Sequence, residues 1–476
     1  MAKDFVPREY QKEATNFLLQ TPRASLFVAM GMGKTSVVLD AIDTLMIAGF
    51  HGKILIIAPL RVARSTWKEE SQKWNHLKHL TFSIIVGSQK ERSNALKAEA
   101  DIYCINYENL VWLIDELTKM GKIEWPFRMV VADESTRLKS HRSHYKKLKS
   151  GHFSLYCTGG SRTSAIAKVA FTQTKRWINL TGTPAPNGLQ DLWGQQWFID
   201  RGQSLGASHS AFDQRWFRTG FNGFAKEMLP HSELEIRNAI EPTTFTLRAE
   251  DYLKLGDEIT NTIYVDLPPA AREIYDEMEK NLYIELKSGN VEAFTAATRT
   301  TKLQQITNGA VYYDDEGNSE TLHSAKIDAL QSVIEEANGM PVIVVYQFKS
   351  DLERLLKAFP KGKHFSTNPK VERDFKAGLI PILFMHPASG GHGVDAFQYV
   401  TNIIVFFAVD WNLELRLQVI ARIGSVRQFQ AGLNRPVFIH QLIGRDTIDE
   451  IILDRLESKG TVEEALKKGL ARKYKV

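Results

Sequence analysis

Short apolar runs rich in β-branched residues, each stopping at Gly, Pro, Asp or Ser, alternate along the chain with longer segments whose apolar residues recur every three or four positions. That alternation predicts parallel strands joined by helices, an α/β fold. Strands are expected near Ser25–Ala29, Lys53–Ala58, Thr81–Val86, Ile102–Asn106, Met129–Asp133 and Trp177–Thr181, making a first doubly wound unit. From Trp193 to about Asp257 the chain turns aromatic and charged, with few β-branched runs, and reads as a mostly helical insertion. Its rings, Trp193, Trp197, Phe198, Phe212, Trp216, Phe217, Phe221 and Phe224, are expected to form core rather than base-stacking platforms, because aromatics at helical spacing usually pack. A second α/β unit follows, with strands near Pro341–Tyr346, Ile380–Met385, Ile403–Ala408 and Pro436–Leu442, and helical spacing over Ala270–Leu286 and Ile448–Leu470. The expected division is residues 1–195, a helical protrusion over 196–257, a second lobe over 258–458 and a basic tail over 459–476.

Composition narrows the class. At 476 residues, 43% apolar and 24% charged, the chain suits about three compact units of a globular protein. The most apolar stretches, ILIIAPL from Ile54 and NIIVFFAV from Asn402, are about half the length a membrane helix requires. MAKDFVPREYQ at the N-terminus lacks the apolar centre of a secretory signal, and Cys104 and Cys157 are too few for a disulfide framework or a zinc site. A cytoplasmic protein with buried free thiols is expected. The net charge of +5 is unevenly spread: residues 137–176 hold ten Lys and Arg, three His and no acid, and Lys467–Val476 carries another +5. Such runs are often only solvated faces.

The candidate chemistry sits at strand ends. SLFVA runs into MGMGKT and then into the helical run SVVLDAIDTLM. In a strand, Gly-rich turn and helix of this kind, Gly31 and Gly33 let backbone N–H groups close on phosphate oxygens at a helix N-terminus. Lys34 would reach the outer phosphates and Thr35 would hold Mg²⁺. The pattern is incomplete, because Val28 stands where the full phosphate-loop motif has Gly, and a chance Gly-Lys-Thr turn is the alternative. About a hundred residues on, RMVVADEST ends a buried strand in two carboxylates. Asp133 suits Mg²⁺ and Glu134 suits polarising an attacking water, with a plain helix cap as the other reading. Gln11 in PREYQ, placed just before the first helix, could read an adenine edge, or simply face solvent. LTGTPAPN offers hydroxyls that could link Asp133 and Glu134 to a neighbouring element, or form only a turn.

Taken in order, PREYQ, MGMGKT, IIAPLRV, INYE, ADEST and LTGTPAPN resemble the first-lobe motifs of the superfamily 2 helicase-like ATPases, and among them the Swi/Snf-related DNA translocases, especially compact phage and prophage members. FTLR from Phe245, LPPAAREIYDEM from Leu267, HSAKIDAL from His323, VIVVY from Val342, ASGGHGVD from Ala388 and DWNLELRLQVIARIG from Asp410 look like the remaining blocks, so the resemblance covers nearly the whole chain. It implies two RecA-like lobes with ATP and Mg²⁺ held in the cleft between them, and nucleic acid, expected to be double-stranded DNA, running across both. It implies that Lys34, Thr35, Asp133 and Glu134 are the hydrolytic core and Gln11 the adenine reader. Gly393 and Asp395 would lie in the motif coupling nucleotide to DNA, and Gln418 and Arg422 in the motif that reaches the γ phosphate, with Arg422 the arginine finger.

Two departures stand out. Where the family pattern Q-x-x-x-R-x-x-R-x-G-Q has its second Arg this chain has Ser425, and Arg427 with Gln428 follows two residues later. Asp133 and Thr181 are also 48 residues apart, longer than in eukaryotic relatives, and the excess is the basic block, expected to add phosphate contacts. Three readings compete with a duplex translocase: a strand-separating helicase or RNA motor, a nucleic-acid-binding scaffold with a decayed ATPase, and a small-molecule kinase that would leave the second lobe without a role. No obligate oligomer and no membrane are expected, a further protein partner is left open, and a phage origin would place the chain in the bacterial host cytoplasm.

Overall fold

The computed structural model describes residues 2–147, 153–219, 226–288, 293–314, 316–365, 368–390, 396–433 and 435–458. All the expected strands are present: β1 (Arg23–Val28), β2 (Lys53–Ala58), β3 (Phe82–Ile85), β4 (Ile102–Asn106), β5 (Phe127–Asp133) and β6 (Arg176–Thr181) in the first part of the chain, each nearly or wholly buried except the edge strand β3. A further strand, β7 (Thr244–Leu247), joins them in an all-parallel sheet of order β7-β1-β6-β5-β2-β4-β3. Sheets of this kind are covered by helices on both faces, which explains the unbroken apolar runs. Register brings the motifs together: Phe27 lies beside Thr181 and Leu180 beside Asp133, so three chemistry-bearing loops leave the C-terminal ends of the adjacent strands β1, β6 and β5.

The chain divides into two units, Met1–Tyr252 and Leu253–Val476. Most of the segment expected as a helical protrusion falls within the first. It holds the helices Asp191–Asp200, His209–Trp216 and Ser232–Ile240, but it also returns β7 to the sheet beside β1, a four-residue strand too short to show in the hydrophobic pattern. Trp193, Trp197, Phe198, Phe212, Trp216 and Phe217 all lie in the core of this unit, whereas Phe221 and Phe224 fall outside the described residues. Each buried ring contributes roughly 1.5–3 kcal/mol. Arg23 fastens the segment to β1, its guanidinium donating to the carbonyls of Ala170, Thr174, Phe198 and Ile199 and lying 4.1 Å from the Phe171 ring centroid. Burial pulls this arginine down to about 10.

The second unit is built on β8 (Glu258–Val265), β9 (Val342–Val345), β10 (Lys363–His364), β11 (Ile382–Met385), β12 (Ile403–Phe406) and β13 (Val437–Gly444), all parallel, in the order β8-β13-β12-β9-β11-β10. β8 was not expected: its sequence EITNTIYV mixes polar and apolar residues and is mostly exposed, and eight backbone pairings with β13 hold it in place with Ile263 and Val265 packed inward. β10 has only two residues. The helix expected over Ile448–Leu470 is described over Ile448–Ser458, and the basic tail from 459 onward lies outside the described residues.

Candidate active site

Lys34 opens the helix Lys34–Ile47, and the turn before it needs its glycines: Gly31 and Gly33 have φ of 83° and 81°, which L side chains rarely adopt. A Cβ on Gly33 would also stand 2.5 Å from Nε2 of Gln11. Gln11 is therefore at the loop, in the first turn of the helix Glu9–Gln20 rather than before it, with its Oε1 accepting from Arg8 N–H at 2.9 Å. Lys34 Nζ donates to the carbonyl oxygens of Val28 at 2.8 Å and Ala29 at 3.4 Å, so the ammonium spans the loop. A Cβ on Gly182 would meet Met30 and, at 3.5 Å, Lys34 Nζ, which places the LTGTPAPN turn against the same lysine.

Asp133 closes β5 with both carboxylate oxygens engaged. Oδ2 accepts from the Trp67 indole N–H at 3.0 Å and Oδ1 from the Glu134 N–H at 3.1 Å. Burial pushes its pKa up, opposed by the nearby Lys34 ammonium and by those two hydrogen bonds. Glu134 has φ 56° and ψ 57°, a left-handed conformation that costs a non-glycine residue about 1–3 kcal/mol and that structures keep chiefly at functional sites. Tyr107 braces this corner, its hydroxyl donating to the carbonyls of Asp133 at 2.9 Å and Glu134 at 3.4 Å. One carboxylate suits Mg²⁺, which usually keeps waters and substrate phosphate oxygens as its other ligands. Among the described residues no cluster of three His, Cys, Asp or Glu offers a closed protein cage.

Among the described residues the LTGTPAPN hydroxyls do not bond the Asp133 carboxylate, and the turn is tied to the residue after Glu134 by another side chain. Thr181 Oγ1 accepts from Thr183 N–H within its own turn, and the Thr183 hydroxyl is buried with no hydrogen-bond partner among the described residues. Gln195, 1% exposed on the helix Asp191–Asp200, joins the two motifs instead: its Oε1 accepts from Ser135 Oγ at 2.8 Å and its Nε2 donates to Pro184 O at 2.7 Å. Trp67 and Gln195 both escaped the sequence reading, because a Trp and a Gln inside amphipathic runs carry no mark of what they touch.

Half of the basic block already has partners within the chain. Arg137 and Arg162 pair with Glu108 at 3.0 and 3.4 Å, and Lys139 pairs with Asp191 at 3.3 Å. Arg142 donates to Lys139 O and His141 O, and Arg176 to Leu18 O and Leu19 O. The block forms an antiparallel pair, Arg142–Lys147 with Phe153–Thr158, carrying an exposed His144–Tyr156 ring stack at 5.7 Å, and then the helix Ser161–Ala170. The side chains of Lys146 and Lys147, and all of Lys149, lie outside the described residues.

In the second unit, Gln418 is buried on the helix Leu413–Ile420 and donates to Glu414 at 3.3 Å, and Arg422 lies in the turn that follows. Ser425 begins the helix Ser425–Gln430, where its N–H and Oγ both donate to Glu258 Oε1 at 2.8 Å. Arg427 is half-buried on this helix, and Gln428 is internal, bonded to Thr401 O, Ile423 O and Arg435 Nε. Gly393 and Asp395 fall outside the described residues.

Compared with known proteins, residues 10–312 match the SNF2-related domain. The chain belongs to this family. It is similar over 99% of its length to all of protein p41 of Acyrthosiphon pisum secondary endosymbiont phage 1, at 46% identity. At 24% identity it is similar to an uncharacterized ATP-dependent helicase of Mycoplasma genitalium over 97% of this chain and 42% of that protein. It is also similar, at 24%, to the DNA repair and recombination protein RDH54 of Saccharomyces cerevisiae over 91% of this chain and 50% of that protein. The chain thus spans half or less of these two cellular relatives. A Sulfolobus solfataricus SWI2/SNF2 ATPase core solved with dsDNA aligns over 96% of this chain and 91% of that one, at 21% identity and a TM-score of 0.43. As a member, the SNF2-related chain is a helicase-like, nucleic-acid-dependent ATPase of two RecA-like lobes, and it uses ATP. No helix among its described residues is long and apolar enough to cross a membrane.

Proposed function

We propose that this SNF2-related chain is an ATP-driven translocase that moves along double-stranded DNA without separating its strands, acting in the cytoplasm of a bacterial host. The supporting observation for the motor chemistry is the convergence at the ends of β1, β5 and β6, where Lys34 and Asp133 interact electrostatically and the turn at Gly182 abuts the lysine. Lys34 and the N–H groups of the glycine turn bind phosphate, and Gln11 reads the adenine edge. Thr35 and Asp133 hold Mg²⁺, which when bound offsets phosphate charge as a Lewis acid. Glu134 accepts a hydrogen bond from the attacking water, and Arg422 offsets charge on the transferring phosphoryl group, with Gln418 beside it in the same motif. The nucleic-acid side of the reading is supported by the recombination protein among the relatives, and the host by the phage protein.

ATP turnover measured with no nucleic acid, duplex DNA, single-stranded DNA and RNA tests the substrate, and duplex should stimulate most. Displacement of a third strand from a triplex, with little unwinding of a forked duplex at equal ATP and salt, is the expected signature of translocation. Efficient fork unwinding without triplex displacement would replace this reading with a helicase.

A further inference from the structure

The hydrogen bond from Trp67 to Asp133 joins residues 66 positions apart. After β2 the chain runs through Pro59 and Leu60 into a π-helical turn, Val62–Thr66, and only then into the α-helix Trp67–Lys73. A π turn shifts the register of everything after it, and such turns recur at functional sites. Here the residue after the turn is Trp67, fully buried, whose only polar atom meets Asp133 Oδ2. A tryptophan wholly within a core needs one acceptor for its N–H, and a backbone carbonyl would serve. That the acceptor is the side chain closing β5 gives the contact a second use. An ionised carboxylate offers about four lone-pair sites. The indole takes one on Oδ2 and the Glu134 N–H takes one on Oδ1, so the carboxylate plane is fixed and one site on each oxygen remains.

We propose that Trp67 is a positioning residue for Mg²⁺·ATP: its indole N–H holds the Asp133 carboxylate in the orientation that presents its remaining lone pairs to the metal. The proposal rests on the assignment of Asp133 to Mg²⁺. Removing the N–H leaves the carboxylate able to rotate about its last bond, so metal must be bound at the cost of ordering it. Groups that orient metal ligands typically cost 10- to 100-fold in metal affinity when removed.

The test is ATP binding by calorimetry, in EDTA and across a Mg²⁺ series, with the full-length chain, Trp67→Phe, Asp133→Asn and the double variant. Trp67→Phe should raise the Mg²⁺ midpoint roughly 10-fold or more while leaving the affinity in EDTA unchanged. In the Asp133→Asn background the same change should add nothing. If Trp67→Phe does not fold, 3-benzothienylalanine at position 67, which keeps the ring shape and replaces N–H with sulfur, carries the same expectation. An unchanged Mg²⁺ midpoint in Trp67→Phe, with Asp133→Asn still shifted, overturns the proposal and leaves the metal assignment standing. Loss of affinity that is equal in EDTA and Mg²⁺, or that adds to that of Asp133→Asn, reduces Trp67 to a packing residue and also overturns it. Asp133→Asn with unaltered Mg²⁺ dependence removes the metal assignment itself.

Discussion

Around Lys34 the candidate chemistry rests on backbone conformation, with Gly31, Gly33 and Glu134 all at positive φ, secured by the side chains of Trp67, Tyr107 and Gln195, whereas around Arg422 side-chain bonds alone are prominent. In the second unit Gln428 ties its helix to Thr401 and Ile423, Arg435 bonds that glutamine, and Glu258 receives the helix start at Ser425. Positive φ restricts residue type at the positions that carry it. A site mounted on helix side chains tolerates exchange wherever another bond can secure the helix. Ser425 illustrates this: a position that the resemblance would give to arginine is used here to fasten a helix to β8.

That difference sets the scale of the expected effects. Lys34→Ala should abolish both ATP binding and turnover. Glu134→Gln should abolish turnover while ATP still binds, since loss of a general base costs roughly 10²–10⁴-fold. Isothermal titration beside a phosphate-release assay separates the two, and near-normal turnover in Glu134→Gln would sink the hydrolytic assignment. Arg422→Ala should lower turnover about 10³-fold or more with ATP affinity retained. Arg427→Ala should cost less, because Arg427 sits two residues beyond the family position on a helix otherwise anchored by Gln428. Equal losses from the two arginines would make them a pair and erase the distinction between the units.

Much of the fold was legible because buried parallel strands are continuous apolar runs, and each run expected as a strand, from Ser25 to Leu442, is one. β8 was not, because this edge strand is mostly exposed, with Ile263 and Val265 packed inward, and its hydrogen bonds to β13 leave no hydrophobic signature. The same divide runs through the site. Gly31, Gly33 and Lys34 share one short motif and Asp133 and Glu134 share another, each recognisable from its own residues, whereas Trp67 and Gln195 belong to no such motif and reach Asp133 and Ser135 from 66 and 60 residues away. Such long-range contacts leave no local pattern to read.

Acid should act in opposite senses on two buried groups, one in each unit. His141, in the first, is fully buried among Trp193, Trp197 and Phe198, and neither ring nitrogen has a hydrogen-bond partner among the described residues. Burial, helped by the Arg142 charge, pulls it down to about 3 from an ordinary value of 6.5. Below pH 6.5 the unfolded chain therefore binds a proton that the folded one refuses, and stability falls with pH until the folded value is passed. By pH 5 the loss is about 2 kcal/mol. Asp351, in the second unit, works the other way: burial raises it to about 6, so protonation favours the folded form as pH falls through 6. Thermal unfolding between pH 7 and 5 should show His141→Phe to be less acid-sensitive than the natural chain. Identical pH slopes would mean that His141 is hydrated or paired in solution.

The smallest effect is expected where the comparison is sharpest. Ser425→Arg restores the residue type of the family pattern at a position that is now 7% exposed and bonded through Oγ and N–H to Glu258. The variant keeps the N–H bond and loses the one from Oγ, a net cost of about 1 kcal/mol. Its guanidinium must also leave a nearly buried site, and Glu258 is at hand to pair with it at the sheet edge rather than leave it directed at nucleotide. Turnover should therefore stay at the natural level while the thermal midpoint falls by a few degrees. A rise in turnover would show that the position still addresses the phosphate and that only the side chain had been exchanged. In that case the second unit would have kept the family geometry, and Arg427 would have no part in hydrolysis.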